Sequence, residues 1–490
     1  MKAANSSPNS KTILPENEKQ EAVQEPPMFS TTKIKSKTLS FIPLVFLIYF
    51  QVSGGPYGTE SIVGSGGPFF AILGFLLFPV IWSIPEALVT AELATAFPGN
   101  GGFVIWTHQA FGPFWGFLVG FWKFLSAVIN LSSYPVLCID YIDPILPASF
   151  SHLPHYLLIS VSTMLLSVLN FIGLPTVGYA AISLGVLSYL PFLVISVFAI
   201  PQIDPSNWAV LGQKGRKKEW PLFFNSLFWN LNCWDNVSTL VVEGVKKPSK
   251  TLPKAFLSAG LLTCLTSLIP MLAATGAMSL DLDDWVDGFY TVVAEKIVGK
   301  RFKKWVRMGA FLSGIGVYQS QLSSCSYQLS GMAELGLLPK LFGVRSKRFN
   351  TPWLGIMIPT VISVLVSYMN FRHVTSLVNV LNSLSMLVEL SAFIWLRLKF
   401  PGVERPFKIP ITKLRWLIAA LFIPFGFLLY VICVGTKIVY LVITVLTAVG
   451  IIWYFCMKIF QAAMWLDFNH VVKKLADYED FGGYYERILK

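Results

Sequence analysis

The stretch Leu222–Lys254, LFFNSLFWNLNCWDNVSTLVVEGVKKPSKTLPK, decides how the rest of the chain is read. It begins as an apolar, aromatic run of the kind that crosses a bilayer. Its middle is wrong for a plain span, because Asn230, Asn232, Asp235 and Asn236 crowd around Trp229 and Trp234. Such groups are costly in hydrocarbon, Asp most of all. At membrane depth they are tolerated where they face protein or line a water-filled cavity. The stretch therefore reads as a helix interrupted at mid-membrane, with its freed backbone groups available to hold something.

Leu44–Val63, LVFLIYFQVSGGPYGTESIV, carries the same defect. Ser53-Gly54-Gly55-Pro56-Tyr57-Gly58 cannot continue a helix, since glycine weakens it and Pro56 has no amide to donate. Glu60 follows directly. Two interrupted hydrophobic segments about five spans apart point to a transporter built from inverted repeats.

Composition supports a membrane setting. Of 490 residues, 54% are hydrophobic and 13% charged, against about 25% charged in an ordinary soluble domain. The net charge of +12 does not indicate nucleic acid, because the basic residues sit in short loops between apolar spans. The six cysteines lie in apolar segments without metal or disulfide spacing and read as packing residues. The histidines His108, His152, His155, His373 and His470 fall in loops or tails by this reading and none pairs at metal spacing. No phosphate loop and no Ser/His/Asp set is visible, so neither an enzyme nor a cofactor is expected.

Twelve spans can be counted at about 20 residues each. Residues 1–38 form a polar, disordered cytosolic tail without a secretory signal. A transporter domain occupies 39–459, with spans one to five in 39–200, six to ten in 221–397, and eleven and twelve in 414–459. Residues 460–490 form a cytosolic tail in which Trp465, Phe468, Val471 and Leu475 recur at helical spacing, as in either a short amphipathic helix on the inner membrane face or an ordinary tail helix. With both termini inside, 25 Lys and Arg fall inside and 12 outside, and Lys123 within span three completes the 38. The basic run Lys214-Gly215-Arg216-Lys217-Lys218 on an outside loop is the exception, which the charge rule leaves unexplained.

Span two ends AELATAFPGNGGFVIW, Ala91 to Trp106, and span six continues CWDNVSTLVVEGVKKPSKTLPKA, Cys233 to Ala255. Both resemble signatures of the amino acid–polyamine–organocation superfamily, with Cys233 where that superfamily usually has Gly. The first break and Glu60 resemble the plant polyamine uptake transporters, which are polyamine–proton symporters. The resemblance implies an all-α polytopic fold with a five-plus-five inverted repeat, discontinuous first and sixth helices, and peripheral spans eleven and twelve. It also implies a plasma-membrane location, an organic-cation substrate, co-transported H⁺ and an aromatic gate at Trp229.

A polyamine carries several ammonium groups and no carboxylate, so it needs separated anions or carbonyls and aromatic faces. A zwitterionic amino acid needs free helix amides for its carboxylate. The candidate substrate-binding residues are Ser53, Gly54, Gly55, Tyr57, Glu60, Trp229, Asn232, Trp234, Asp235 and Tyr318, with Gln319 and Gln321 as weaker lining positions. Glu60 and Asp235 are read as anions facing ammonium groups or as caps on the half-helices that follow the breaks. Glu86 and Glu389, mid-span carboxyls, are the proton-coupling candidates, or else neutral carboxyls bonded to neighbouring helices. Glu92 reads as an inexpensive carboxylate at a cytosolic end, Glu243 as structural, and Lys123 as a structural base that either pairs with one of these carboxylates or snorkels toward an interface. An amino-acid carrier of the same fold and a non-transporting membrane receptor remain alternatives.

Overall fold

The computed structural model describes residues 39–143, 154–213, 215–241, 245–278, 281–367, 371–411 and 413–469, with 371–373 described in backbone only. The described residues are helices and their connections, joined by isolated bridges such as Pro339 with Phe468. Among the described residues, eight helices are long and apolar enough to cross a membrane: Pro68–Ala96, Pro113–Ile142, His155–Ile172, Leu174–Gln202, Pro248–Ala277, Val374–Lys399, Leu414–Cys433 and Lys437–Ala462. Phe41–Val52 and Trp353–Val366 are shorter apolar helices. Leu157, Leu165, Leu257, Leu261, Phe422 and Leu441 project outward, as lipid-facing positions must. Burial grades the bundle: 72% of the apolar stretch of Val374–Lys399 is buried, against 22% of His155–Ile172, 28% of Leu414–Cys433 and 22% of Lys437–Ala462, so these three are the most outward of the long apolar helices described.

Lys300–Glu334, at 35 residues, runs through the centre of the bundle and packs on Leu174–Ala199, Ser133–Ile142 and Trp353–Val366. It is too polar to count as an apolar span because Ser313, Gln319, Ser320, Gln321, Ser323 and Ser324 face the protein interior. Gly331 lets the loop of the Pro98-Gly99-Asn100-Gly101-Gly102 motif cross it, since an added Cβ there would lie 2.1 Å from the Gly101 nitrogen. Both partners are backbone and neither can yield. Gly331→Ala should therefore cost about 3 kcal/mol, read as a lowered thermal midpoint of the purified protein. An unchanged midpoint would mean the crossing is loose.

Both expected interruptions are present. Phe41–Val52 stops at Ser53, which is extended, and helix resumes only at Glu60–Gly66. Gly55 and Gly58 take φ of +107° and +84°, which glycine adopts without strain. Trp220–Leu231 stops at extended Asn232, and the chain continues as a 3₁₀ turn over Trp234–Leu240. Each helix before a break has 12 residues, about 18 Å of rise against a hydrocarbon core of about 30 Å. Cys233, between those pieces, has φ +73°. The superfamily's glycine position is thus a left-handed position, and here a side chain accepts that strain.

Two local expectations are corrected. His108 is not in a loop but buried in the helix Phe103–Phe111, which precedes the third expected span. Trp465 and Phe468 lie in a turn and a bridge, with the Lys340 amide donating to the Asp467 carbonyl at 2.7 Å, so no amphipathic helix starts there. Val471, Leu475, Glu243, Lys214, His152 and His470 lie outside the described residues.

Candidate functional site

A cavity of about 70 Å³ opens between the two breaks. The first break contributes Gln51, Ser53, Gly54 and Tyr57, and the second Trp229, Asn230, Asn232 and Cys233. Tyr134, Tyr141, Ser313, Gln321, Asn379 and Asn382 complete the wall. The two breaks face each other because the central helix holds both: the Ser313 hydroxyl donates to the Gly54 carbonyl, and Thr239 Oγ1 donates to the Ser324 carbonyl at 3.2 Å. Trp229 Nε1 donates to Asn130 Oδ1 at 3.0 Å, and Asn130 Nδ2 donates to Gln321 Oε1 at 2.9 Å. This chain of bonds sets the indole against the cavity.

Among the described residues lining the cavity, Asp287 is the only charged side chain, and there is no Lys, Arg or His. Asp287 is solvent-exposed and marks the mouth. It stands on the loop before Tyr290–Ile297, which folds over the first break: Tyr290 and Thr59 hydroxyls meet at 3.0 Å, and the Gly288 amide donates to Glu60 Oε1 at 3.2 Å.

Of the candidates, Ser53, Gly54, Tyr57, Trp229 and Asn232 line the cavity, and Gly55, Glu60, Trp234, Asp235, Tyr318, Glu86 and Glu389 stand outside its lining. Glu60 is fully buried and its Oε2 accepts the Gly58 amide at 2.8 Å, so its carboxylate is held by backbone amides of the break and of the overlying loop. Trp234 packs near Phe256 and donates to the Leu231 carbonyl at 2.9 Å, capping the half-helix behind the break. The Tyr318 hydroxyl meets Ser167 Oγ at 2.7 Å, and Gln319 is bonded to Asn170 and Leu166, both away from the cavity.

Asp235, Glu86 and Glu389 gather instead around Lys123. Lys123 Nζ lies 2.5 Å from Asp235 Oδ2 and 3.8 Å from Glu389 Oε1, with all three side chains at most 3% exposed. Glu86 Oε1 accepts the Trp234 amide at 2.8 Å. A π turn at Pro79–Ser83 re-aims this part of the helix, and Ser83 Oγ donates to the Leu231 carbonyl freed by the second break. Two carboxyl groups share one ammonium, and Glu86 joins them through the amides of Trp234 and Asp235. Fully ionised, the three would leave two uncompensated negative charges in a buried site, a cost of several kcal/mol that bound protons remove.

One further charge is corrected, and one open exception gains partners. Glu92 is not an inexpensive end-of-span carboxylate. It is fully buried between Arg397, 2.7 Å from Nε to Oε1, and Arg405, 3.2 Å from Nε to Oε1. The anomalous basic run is matched locally: Arg216 pairs with Asp283 at 2.8 Å, and Lys218 lies 4.1 Å from the Phe70 ring centre. The acidic loop Asp281–Asp287 thus offsets positive charge on the same end of the bundle.

Gln51, Tyr134, Tyr141, Asn379, Asn382 and Asp287 escaped the sequence reading. Asn379 and Asn382 carried a signal, two amides three apart in an apolar span and so on one helix face. Asp287 carried none, being one acidic loop residue among several.

Residues 39–462 match the amino acid permease family. This chain belongs to the amino acid permease family. The permease is 43% identical over 434 residues to polyamine transporter RMV1 of Arabidopsis thaliana, covering 88% of each chain. It is 42% identical to polyamine transporter PUT1 of Oryza sativa subsp. japonica, covering 89% of this chain and 81% of that one. It is 25% identical to the methylthioribose transporter of Bacillus subtilis, covering 87% of this chain and 94% of that one. The permease is a multi-pass membrane transporter rather than an enzyme.

Proposed function

We propose that this permease takes up polyamines of the putrescine, spermidine and spermine class together with protons, by alternating access across the plasma membrane. In this reading it has twelve spans in a five-plus-five inverted repeat, with repeats at 39–200 and 221–397, peripheral spans at 414–459, and both tails cytosolic. Similarity to polyamine transporters supports the substrate class.

The observation that carries the reading is the state of the first break. An amino acid needs free amides there for its carboxylate. In the first break the Gly58 amide is bonded to the chain's own Glu60 carboxylate, the Gly55 amide points to Ser53 Oγ at 3.3 Å and Pro56 has no amide, which leaves the Gly54 and Tyr57 amides and reduces what a substrate carboxylate could use. Glu60 thus occupies an amide of the break from behind the cavity, and the cavity offers tyrosine and tryptophan faces and an acidic mouth, which suit ammonium groups. Ser53, Gly54, Tyr57, Trp229 and Asn232 contact the substrate directly, with Trp229 as the gate. Gly55, Glu60, Trp234, Asp235 and Tyr318 shape the breaks and their supports.

The Lys123 group supports proton coupling through Glu86 and Glu389. Protonating Glu86 weakens it as an acceptor for the Trp234 amide, which loosens the second break. The cavity has room for only a few waters at about 70 Å³, so loading and release require the breaks to move.

The test is uptake of radiolabelled spermidine and leucine into proteoliposomes, with and without an inward proton gradient. Gradient-stimulated spermidine uptake without leucine uptake is expected. Leucine uptake without spermidine uptake would overturn the substrate class. Spermidine uptake indifferent to the gradient would overturn the coupling, and flux of neither would favour a receptor.

A further inference from the structure

Three amide side chains of the cavity wall share an uncommon property. Gln51, Asn232 and Asn379 are each 1% exposed, and Gln51 Oε1, Asn232 Oδ1 and Asn379 Oδ1 have no hydrogen-bond partner among the described residues. For two of them the amide orientation follows from carbonyl partners. Gln51 Nε2 donates to the Ser320 carbonyl at 2.6 Å, and Asn379 Nδ2 donates to the Asn225 carbonyl at 2.9 Å. Their oxygens are therefore the ends left over. Asn232, at the second break, has neither its side-chain oxygen nor its side-chain nitrogen bonded among the described residues.

A buried acceptor without a donor is destabilising, and three around one cavity call for a ligand that donates. An ammonium group has three N–H donors and no acceptor, whereas a carboxylate would oppose the three oxygens. We infer that Gln51, Asn232 and Asn379 form a neutral ammonium-binding subsite in the buried part of the cavity, while Asp287 at the mouth takes a second ammonium of the same substrate. This deepens the organic-cation reading above and rests on it. It assigns Asp287 as the residue that separates polyamines from monoamines. It also separates functions: the substrate meets uncharged acceptors, and the buried carboxyl groups around Lys123 stay available to protons. A neutral subsite releases its cation more easily than a buried carboxylate would, as a carrier requires.

The experiment measures binding to the purified permease in detergent by calorimetry, with spermidine, putrescine, n-butylamine and leucine as probes, and the thermal midpoint of each ligand-free variant. Asn232→Leu removes two unbonded polar atoms and no bond within the chain. It should leave the midpoint equal or higher while weakening spermidine about tenfold or more. A structural role would show the reverse, so a lowered midpoint with spermidine affinity kept would overturn the subsite. Gln51→Met, which does lose bonds to the central helix, should weaken spermidine to a similar degree, and wild-type affinity in that variant would likewise count against it. Asp287→Asn, at an exposed position, should weaken spermidine and putrescine several-fold and leave n-butylamine unchanged. Equal effects on all three amines, or none, would overturn the mouth assignment. If the wild type binds leucine and not spermidine, the cation reading itself fails, an outcome distinct from wild-type spermidine binding that the variants leave unaltered.

Discussion

Replacing Lys123 with Met should destabilise the permease by about 3–5 kcal/mol and abolish gradient-driven uptake. Lys123 is the ammonium that Asp235 and Glu389 share, at 2.5 and 3.8 Å, with Glu86 one hydrogen bond away through the Trp234 amide. Without it, three buried carboxyl groups have no counter-charge. They can stay buried only by holding protons permanently, which removes the exchange that coupling requires. Both effects are measurable on one preparation, by thermal unfolding and by proteoliposome uptake. The double variant Lys123→Met/Asp235→Asn removes both ends of the closest pair and should recover part of the stability without recovering uptake. If Lys123→Met unfolds like the wild type, the ion pair contributes nothing and the charge argument fails.

Glu92→Ala should be comparably severe, at about 3–5 kcal/mol. It would leave the guanidinium groups of Arg397 and Arg405, 7% and 6% exposed, without their common anion. Glu92 also accepts the Ile409 amide at 2.9 Å, so it pins the segment after Phe371–Lys399 to the end of Ile84–Ala96. Arg405 in turn donates to the carbonyls of Leu396, Phe400 and Val403. Losing the anion should free this whole segment. Trypsin cleavage at the Lys408–Ile409 bond should then speed up well before global unfolding, a local signature that a general loss of stability would not give. Unchanged cleavage would mean that the carbonyl bonds suffice.

The two breaks were legible without coordinates because their causes are local. Gly54, Gly55, Pro56 and Gly58 deny the backbone a helix by their own chemistry, and the polar run from Asn230 to Asn236 is too costly for lipid wherever it points. The outward apolar helices were legible for a related reason, since both their lipid-facing and their protein-facing residues are apolar in the main. The roles of individual carboxyl groups were not. Glu60 and Asp235 follow their breaks in the same way, yet one is held by two amides and the other by Lys123. Glu92 reads as a surface residue until Arg397, 305 positions away, folds onto it.

Sequence alone determined that this chain is a polytopic membrane protein with two interrupted helices, and it carried the motifs of its family. Those properties depend on backbone preference and on transfer out of water, which act residue by residue. The tertiary structure alone decided which polar groups face the cavity, which carboxyl groups share Lys123, and that the basic run around Arg216 meets the acidic loop at Asp283. The reason is that charge and hydrogen-bond partners are set by distance in space, and in a bundle of this kind the nearest partner lies on another helix.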